Sequence, residues 1–334
     1  MISKTREKIW RNKVKKRLYS GIIFVAILAL AFVLKATVSN YFFDAFILFV
    51  ACMAGLEFSK ILTKMGKFNN KILAVVQPAV LIGVMLICIA FHKQISLIYT
   101  ILIAISTIFV FTLVAFVWTL ITRTKTNREM ETRKISAKPV QFSFVKAINS
   151  MLTFIYPSFL VIFLTFINHF GDFTATFTCL TDCGGIISVI VLLLAFLIPI
   201  VTDTFAYLVG GLIGGKKLAP SISPKKTISG AIGGTVFCVL LSIVLILIFN
   251  SIPSTSQALA QAGISVWKVA IISLIGSCLG QAGDLFESFL KRKAGVKDSG
   301  NIMPGHGGVL DRFDSHFFVA PFVFLAFSLL FILI

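Results

Sequence analysis

The stretch Gly184 to Gly215 reads GGIISVIVLLLAFLIPIVTDTFAYLVGGLIGG and carries a single charged residue, Asp203. A membrane-spanning helix needs about 20 predominantly apolar residues. This run is longer, so it either breaks near Pro199 to Thr202 or extends past the hydrocarbon layer. Other apolar runs flank it on both sides. They read as about nine spans, at 18–35, 40–59, 72–91, 97–122, 147–167, 184–215, 231–250, 265–283 and 316–334. Of 334 residues, 57% are hydrophobic and only 13% charged, against about 25% charged in a soluble domain. Such a chain cannot cover one core with a polar surface, and the bilayer has to act as its solvent. The expected fold is all-α, a polytopic transmembrane helical bundle.

The net charge of +18 raises nucleic acid as a partner, but the positive residues sit in short blocks between apolar runs. That distribution writes membrane topology, and no nucleic-acid partner is expected. Of the 31 basic residues, all but Lys35, Lys93 and Lys268 fall in the N-terminal tail or in alternate loops: 60–71, 123–146, 216–229 and 284–315. These are the loops expected in the cytoplasm. The apolar run after the basic tail has no clear small-residue cleavage site and reads as the first span. Asp44 and Glu57 within 40–59 leave the count in the first half open by one. The chain divides into a basic cytoplasmic tail (1–17), N-terminal spans with a polar connector near 123–146 (18–200) and a C-terminal membrane region (201–334). Most of the six cysteines lie in apolar runs, where a thiol behaves as a small hydrophobe. Cys179 and Cys183 share a loop and are read as unpaired.

Five of the 13 acidic residues lie between Asp284 and Asp314: Asp284, Glu287, Asp298, Asp311 and Asp314. Carboxylates near a membrane are costly unless they pair or bind a cation. Lys291, Arg292, Lys293, Lys297 and Arg312 are interleaved with them. Such a mixture suits a metal–nucleotide complex, the acids holding the metal and the bases meeting phosphate oxygens. Asp284, Glu287, Ser288 and Lys291 would share one helix face, and Asp311 and Asp314 would converge if helical. Pro304-Gly305-His306-Gly307-Gly308 between them permits tight turns and close backbone approach to an anion. A solvated loop whose acids balance its bases is the alternative.

A second polar stretch precedes it. Asp203 is followed by Gly210, Gly211, Gly214 and Gly215, then by KKLAPSISPKKTISG with Ser223, Lys225, Lys226 and Thr227. An Asp within an apolar segment is a functional candidate. The glycines alone read as a helix-packing face. Hydroxyls and lysines together suit a phosphate.

The stretch SFLKRKAGVKDSGNIMPGHGGVLDRFDS, Ser288 to Ser315, resembles the signature of the phosphatidate cytidylyltransferase family, the CDP-diacylglycerol synthases. Ser288, Lys291, Arg292, Lys297, Asp298, His306, Gly307, Gly308, Asp311, Arg312 and Asp314 all match it. Gly283 to Ser288 matches the family's lead-in, and DTFAYLVGGLIGGKKLAPSISPKKTISGAIGG from Asp203 to Gly234 resembles its second motif. The likeness is strong over 200–320, while the first half matches only as hydrophobic spans. Ser229 departs from the pattern, which has an acid or amide there, and the chain is longer than the usual member.

The resemblance implies that CTP and phosphatidic acid give CDP-diacylglycerol and pyrophosphate for phospholipid synthesis, at a site on the cytoplasmic face. It gives catalytic roles to Asp284, Lys291, Arg292, Lys297, Asp298, His306, Asp311, Arg312 and Asp314. Substrate binding falls to Asp203, Ser223, Lys225, Lys226, Thr227, Ser288, Gly307 and Gly308. Asp284, Asp298, Asp311 and Asp314 would hold Mg²⁺, directly or through water, with room for a second, monovalent cation. A cell (inner) membrane location and a homodimer are also implied. A CTP-dependent lipid or polyprenol kinase, a transporter and a catalytically inactive member stay open as other readings.

Overall fold

The computed structural model describes residues 2–90, 139–172, 184–300, 302 and 307–332, with scattered helical positions between 106 and 118. His306, the Cys179–Cys183 loop, most of the expected 97–122 span and nearly all of the polar connector lie outside the described residues.

Helices account for nearly everything else. In chain order they are α1 (Ile2–Thr37), α2 (Asn40–Lys64), α3 (Leu73–Ala90), α4 (Pro139–Thr153), α5 (Leu160–Asn168), α6 (Gly184–Ile213), α7 (Ile228–Asn250), α8 (Pro253–Gln261), α9 (Val266–Lys293), α10 (Leu310–Phe313) and α11 (His316–Ile332). A π-type turn at Phe154–Phe159 joins α4 to α5, with Tyr156 leaving helical geometry at φ −124°, ψ 123°. Among the described residues six helices are long and apolar enough to cross a membrane: Asn40–Lys64, Leu73–Ala90, Phe144–Asn168, Gly184–Ile213, Ile228–Asn250 and Val266–Lys293. Gly21–Thr37 and His316–Phe331 are shorter apolar helices. The molecule is a polytopic all-α membrane bundle.

Of the two outcomes expected for the longest run, the structure adopts the second. The α6 helix continues through Pro199 without interruption for 30 residues. At 1.5 Å per residue that is about 45 Å, well beyond a hydrocarbon layer of about 30 Å.

The glycine face expected at 210–215 divides instead. A Cβ on Gly210 would sit 2.7 Å from Thr227 Oγ1, so Gly210 does allow close packing against the start of α7. Gly214 and Gly215 have φ of 67° and 100° and shape a turn out of the helix, while Gly211 faces open space. Beyond that turn β1 (Lys217–Ala219) and β2 (Ser223–Thr227) pair antiparallel, a small hairpin on an otherwise helical frame. The Ser229 hydroxyl donates to Gly214 O and so ties the hairpin's two ends.

Polar side chains cross-link the C-terminal helices inside the apolar layer, where the alternative is an unsatisfied group in hydrocarbon. Thr202 on α6 donates to Ser277 on α9 at 2.9 Å. Ser277 also meets Thr235 on α7 at 3.0 Å, and Gln281 donates to Thr235 at 2.9 Å. The core around them is rich in phenylalanine. Phe313, 1% exposed, packs edge-on against Phe24 and Phe196 and anchors the short α10 to the bundle.

Candidate functional site

The continuous α9 carries Asp284, Glu287, Ser288 and Lys291 on one face, as their spacing predicts. Their partners then divide them. Lys291, only 9% exposed, stands in ion-pair contact with Glu287 and reaches Asp311 Oδ1 at 2.7 Å. Asp311 Oδ2 accepts from Gly308 N at 2.7 Å, Ser299 N at 2.9 Å and Ser299 Oγ at 2.9 Å. Burial works against a charged Asp311, but Lys291 and these donors outweigh it and hold its carboxyl below the ordinary range. Gly307 is half-buried with φ 89°, a conformation only glycine adopts without strain, and faces the Asp311 carboxylate.

Asp314, one turn beyond Asp311, has the opposite surroundings. Burial first, then the charges of Asp284 and Asp203, push its carboxyl well above the usual value. Its own backbone contact is local, Ser315 N donating to Oδ1 at 2.7 Å. Ser315 Oγ donates to Asp203 Oδ2 at 3.0 Å. Gly283 makes the approach possible: a Cβ there would lie 2.8 Å from both Asp314 O and the Phe318 ring. Asp203 from α6, Asp284 from α9 and Asp314 after α10 therefore form an acidic group, with Lys226 in ion-pair contact with Asp284.

The hairpin supplies that lysine and brings the second motif onto the first. Arg292 Nε also donates to Ile222 O in the hairpin turn, at 3.4 Å. Thr227 caps α7, its hydroxyl accepting from Gly230 N at 3.2 Å, so its oxygen is already engaged. Ser223 lies at the hairpin's far end, paired in register with Ala219. Ser288 donates to Asp284 Oδ1 at 3.3 Å. Lys297 and Asp298 are exposed and stand apart from these contacts.

Two cavities meet at Asp203. One, of about 310 Å³, is lined by Asp203, Tyr207, Lys225, Lys226, Thr227 and Asp284 among others. The other, of about 240 Å³, is lined by Phe24 and Leu28 of α1, Phe196 and Ile200 of α6, and Arg312. The first sets two lysines against two carboxylates, a mixture suited to a phosphate with its cation. The second is mainly apolar, with Arg312, Asp203, Thr204 and His316 as its polar groups. Among the described residues no three Asp, Glu, His or Cys side chains form a metal-ligand group.

Two contributors escaped the sequence reading. Glu57 of α2, 1% exposed, accepts from Leu310 N at 2.8 Å and Ser299 Oγ at 3.1 Å. Tyr156, at the π-type turn, packs edge-on against Phe58, Phe286 and Phe317 beside the acidic group. For Glu57 the signal was present, since a carboxylate inside an apolar run is a functional candidate. Tyr156 carried no signal of its own.

Comparison with known proteins points to one family. The chain is 48% identical over 130 residues to a phosphatidate cytidylyltransferase of Staphylococcus saprophyticus, 47% to one of Staphylococcus epidermidis and 50% to one of Staphylococcus aureus. Each alignment covers 39% of this chain and 46% of the relative, so the match spans about half the length of these curated proteins. The sequence model of the cytidylyltransferase family matches residues 15–330, nearly the whole length. A membrane bundle that gathers both polar motifs at one site, matched by that model almost from end to end, belongs to the cytidylyltransferase family.

Proposed function

We propose that the chain transfers CMP from CTP to phosphatidic acid, releasing pyrophosphate and leaving CDP-diacylglycerol in the bilayer. The observation that carries this is the meeting of the Lys225–Thr227 hairpin with the Asp203, Asp284 and Asp314 group, at a cavity lined by Lys225, Lys226, Asp203 and Asp284. The lipid phosphate is already an anionic nucleophile and needs no strong base. One of its oxygens bonds to the α-phosphorus of CTP, and the bond from that phosphorus to the β-bridging oxygen breaks. The barrier is alignment and charge repulsion, which cationic side chains relieve. Lys225 and Lys226 would hold the triphosphate, and Arg312 the lipid phosphate in the adjoining apolar cavity.

A Mg²⁺ ion fits the residues present. Mg²⁺ is held by one or two carboxylates together with substrate phosphates and water, and Asp314 sits beside Asp284 and Asp203 with its charged form disfavoured. Asp284 and Asp314 would hold it together with the substrate phosphates, two carboxylates rather than three. When bound, the ion would neutralise phosphate charge. Asp311 stays with Lys291 and Ser299 and would orient the loop. A second, monovalent cation would complete the acidic group.

We place this site on the cytoplasmic face of a cell (inner) membrane, with 201–334 as the catalytic region, a reading that the distribution of basic loops supports. We further propose a homodimer and no role for nucleic acid. The test uses purified protein, phosphatidic acid and Mg²⁺ with CTP labelled at the α or the γ position. Label entering lipid from the α position, with pyrophosphate released, is the expected result. Label entering from the γ position would make the protein a lipid kinase and refute the proposal.

A further inference from the structure

Glu57 belongs to neither motif. It sits near the end of α2, in the half of the chain whose only sequence signal is hydrophobicity. A carboxylate 1% exposed in such a helix costs several kcal/mol unless hydrogen-bonded. Its partners are Leu310 N and Ser299 Oγ, at opposite ends of the signature loop. The loop's own residues make room for it, because a Cβ on either Gly300 or Gly308 would overlap the Glu57 carboxylate. Ser299 then passes the contact on: its single hydroxyl proton is shared between Glu57 at 3.1 Å and Asp311 at 2.9 Å, its N donates to Asp311 at 2.9 Å, and Asp311 meets Lys291 at 2.7 Å.

We infer that Glu57 is a positioning residue for cytidylyl transfer, clamping both ends of the 299–310 loop so that Ser299, Asp311 and Lys291 stand in fixed relation at the active site. This role rests on the function proposed above. Glu57 touches neither cavity lining. Its removal therefore acts on turnover through geometry and leaves CTP binding in place. A misplacement of about 1 Å from a residue remote from the chemistry can cost about 100-fold in rate.

The test compares Glu57→Leu and Glu57→Gln with wild type for kcat, KM for CTP and folded fraction in detergent. Glu57→Leu keeps the bulk and removes the acceptors, and should lower kcat about 100-fold with KM changed by less than about threefold. Glu57→Gln keeps a carbonyl acceptor and should restore most of the turnover. Ser299→Ala should lower kcat in the same direction, and Glu57→Leu/Ser299→Ala should be little worse than Glu57→Leu alone. A purely structural residue would reduce the folded fraction while the folded enzyme kept its kcat, and that result overturns the inference. If Glu57→Leu does not fold, Ser299→Ala carries the test, with Glu57→Gln as the control that keeps its turnover, and a folded Ser299→Ala enzyme with wild-type kcat overturns the inference. Absence of CDP-diacylglycerol from wild type would instead sink the functional proposal, a separate outcome.

Discussion

Replacing Lys291 with Met isolates the electrostatic centre of the site. Methionine fills a similar volume, so the change removes a charge without opening a large cavity. Lys291 is the cation in contact with Glu287, which is fully buried, and with Asp311. Breaking a buried ion pair from one side typically costs about 3–5 kcal/mol. A stranded carboxylate can escape by taking up a proton. For a glutamate of ordinary pKa near 4.3, protonation at pH 7 costs about 3.7 kcal/mol, which caps the loss from that group. Asp311 retains its three other donors and should stay charged. The expected loss is therefore at most about 3–4 kcal/mol, or a fall of up to roughly 5–10 °C in the thermal transition in detergent. The double variant Lys291→Met/Glu287→Gln removes the stranded charge and should recover most of that stability while staying inactive. A Lys291→Met protein with an unchanged transition, or a double variant no more stable than the single, would refute the reasoning.

Other substitutions probe the parts around it. Asp311→Asn should lower CTP-dependent turnover by about 100-fold or more while membrane insertion is normal, since it weakens a carboxylate held by Lys291 and Ser299; near-normal activity counts against its place in the site. Gly308→Ala should lower turnover sharply, because its Cβ overlaps Glu57 and Ser299, whereas Gly211→Ala, facing open space, should be silent. At the other end of α2, burial disfavours the charged form of His169, but its bonds to Asp172 (2.7 Å) and Asp44 (2.8 Å) win and raise its pKa to about 9. The raised folded-state value means its stabilisation is full below about pH 6.5 and lost as pH rises through about 9. Thermal transitions of wild type should fall across that window and those of His169→Gln should not, and parallel profiles would disprove the assignment.

How much of this was legible beforehand follows from how far each interaction reaches along the chain. The spans at 40–59, 72–91 and 231–250 reappear as helices because burial of apolar length is a local property. The α9 face was legible for the same reason, its residues lying within two turns. The division of labour between Asp311 and Asp314 was not. They lie three residues apart, yet one faces Lys291 and the other Asp203, and only the packing of α6 against α9 decides that. Glu57 and Ser299 are separated by 242 positions, and spacing rules say nothing at that distance. The hairpin at 217–227 was hidden by its glycines, which read as a packing face although two of them turn the backbone with positive φ.

The uninterrupted α6 acts as a measuring rod. From Gly184 to Asp203 it advances about 29 Å, nearly the thickness of a hydrocarbon layer. A helix of this length whose first turn lay at one rim of the apolar slab would deliver its only carboxylate to the opposite rim. The cavity lined by Lys225 and Lys226 and the one lined by Phe24 and Phe196 share Asp203 as their common wall. On the proposed function, the number of helical residues before Asp203 would set the depth of the reaction plane, where a water-soluble nucleotide and a membrane-bound lipid would meet without either leaving its own phase.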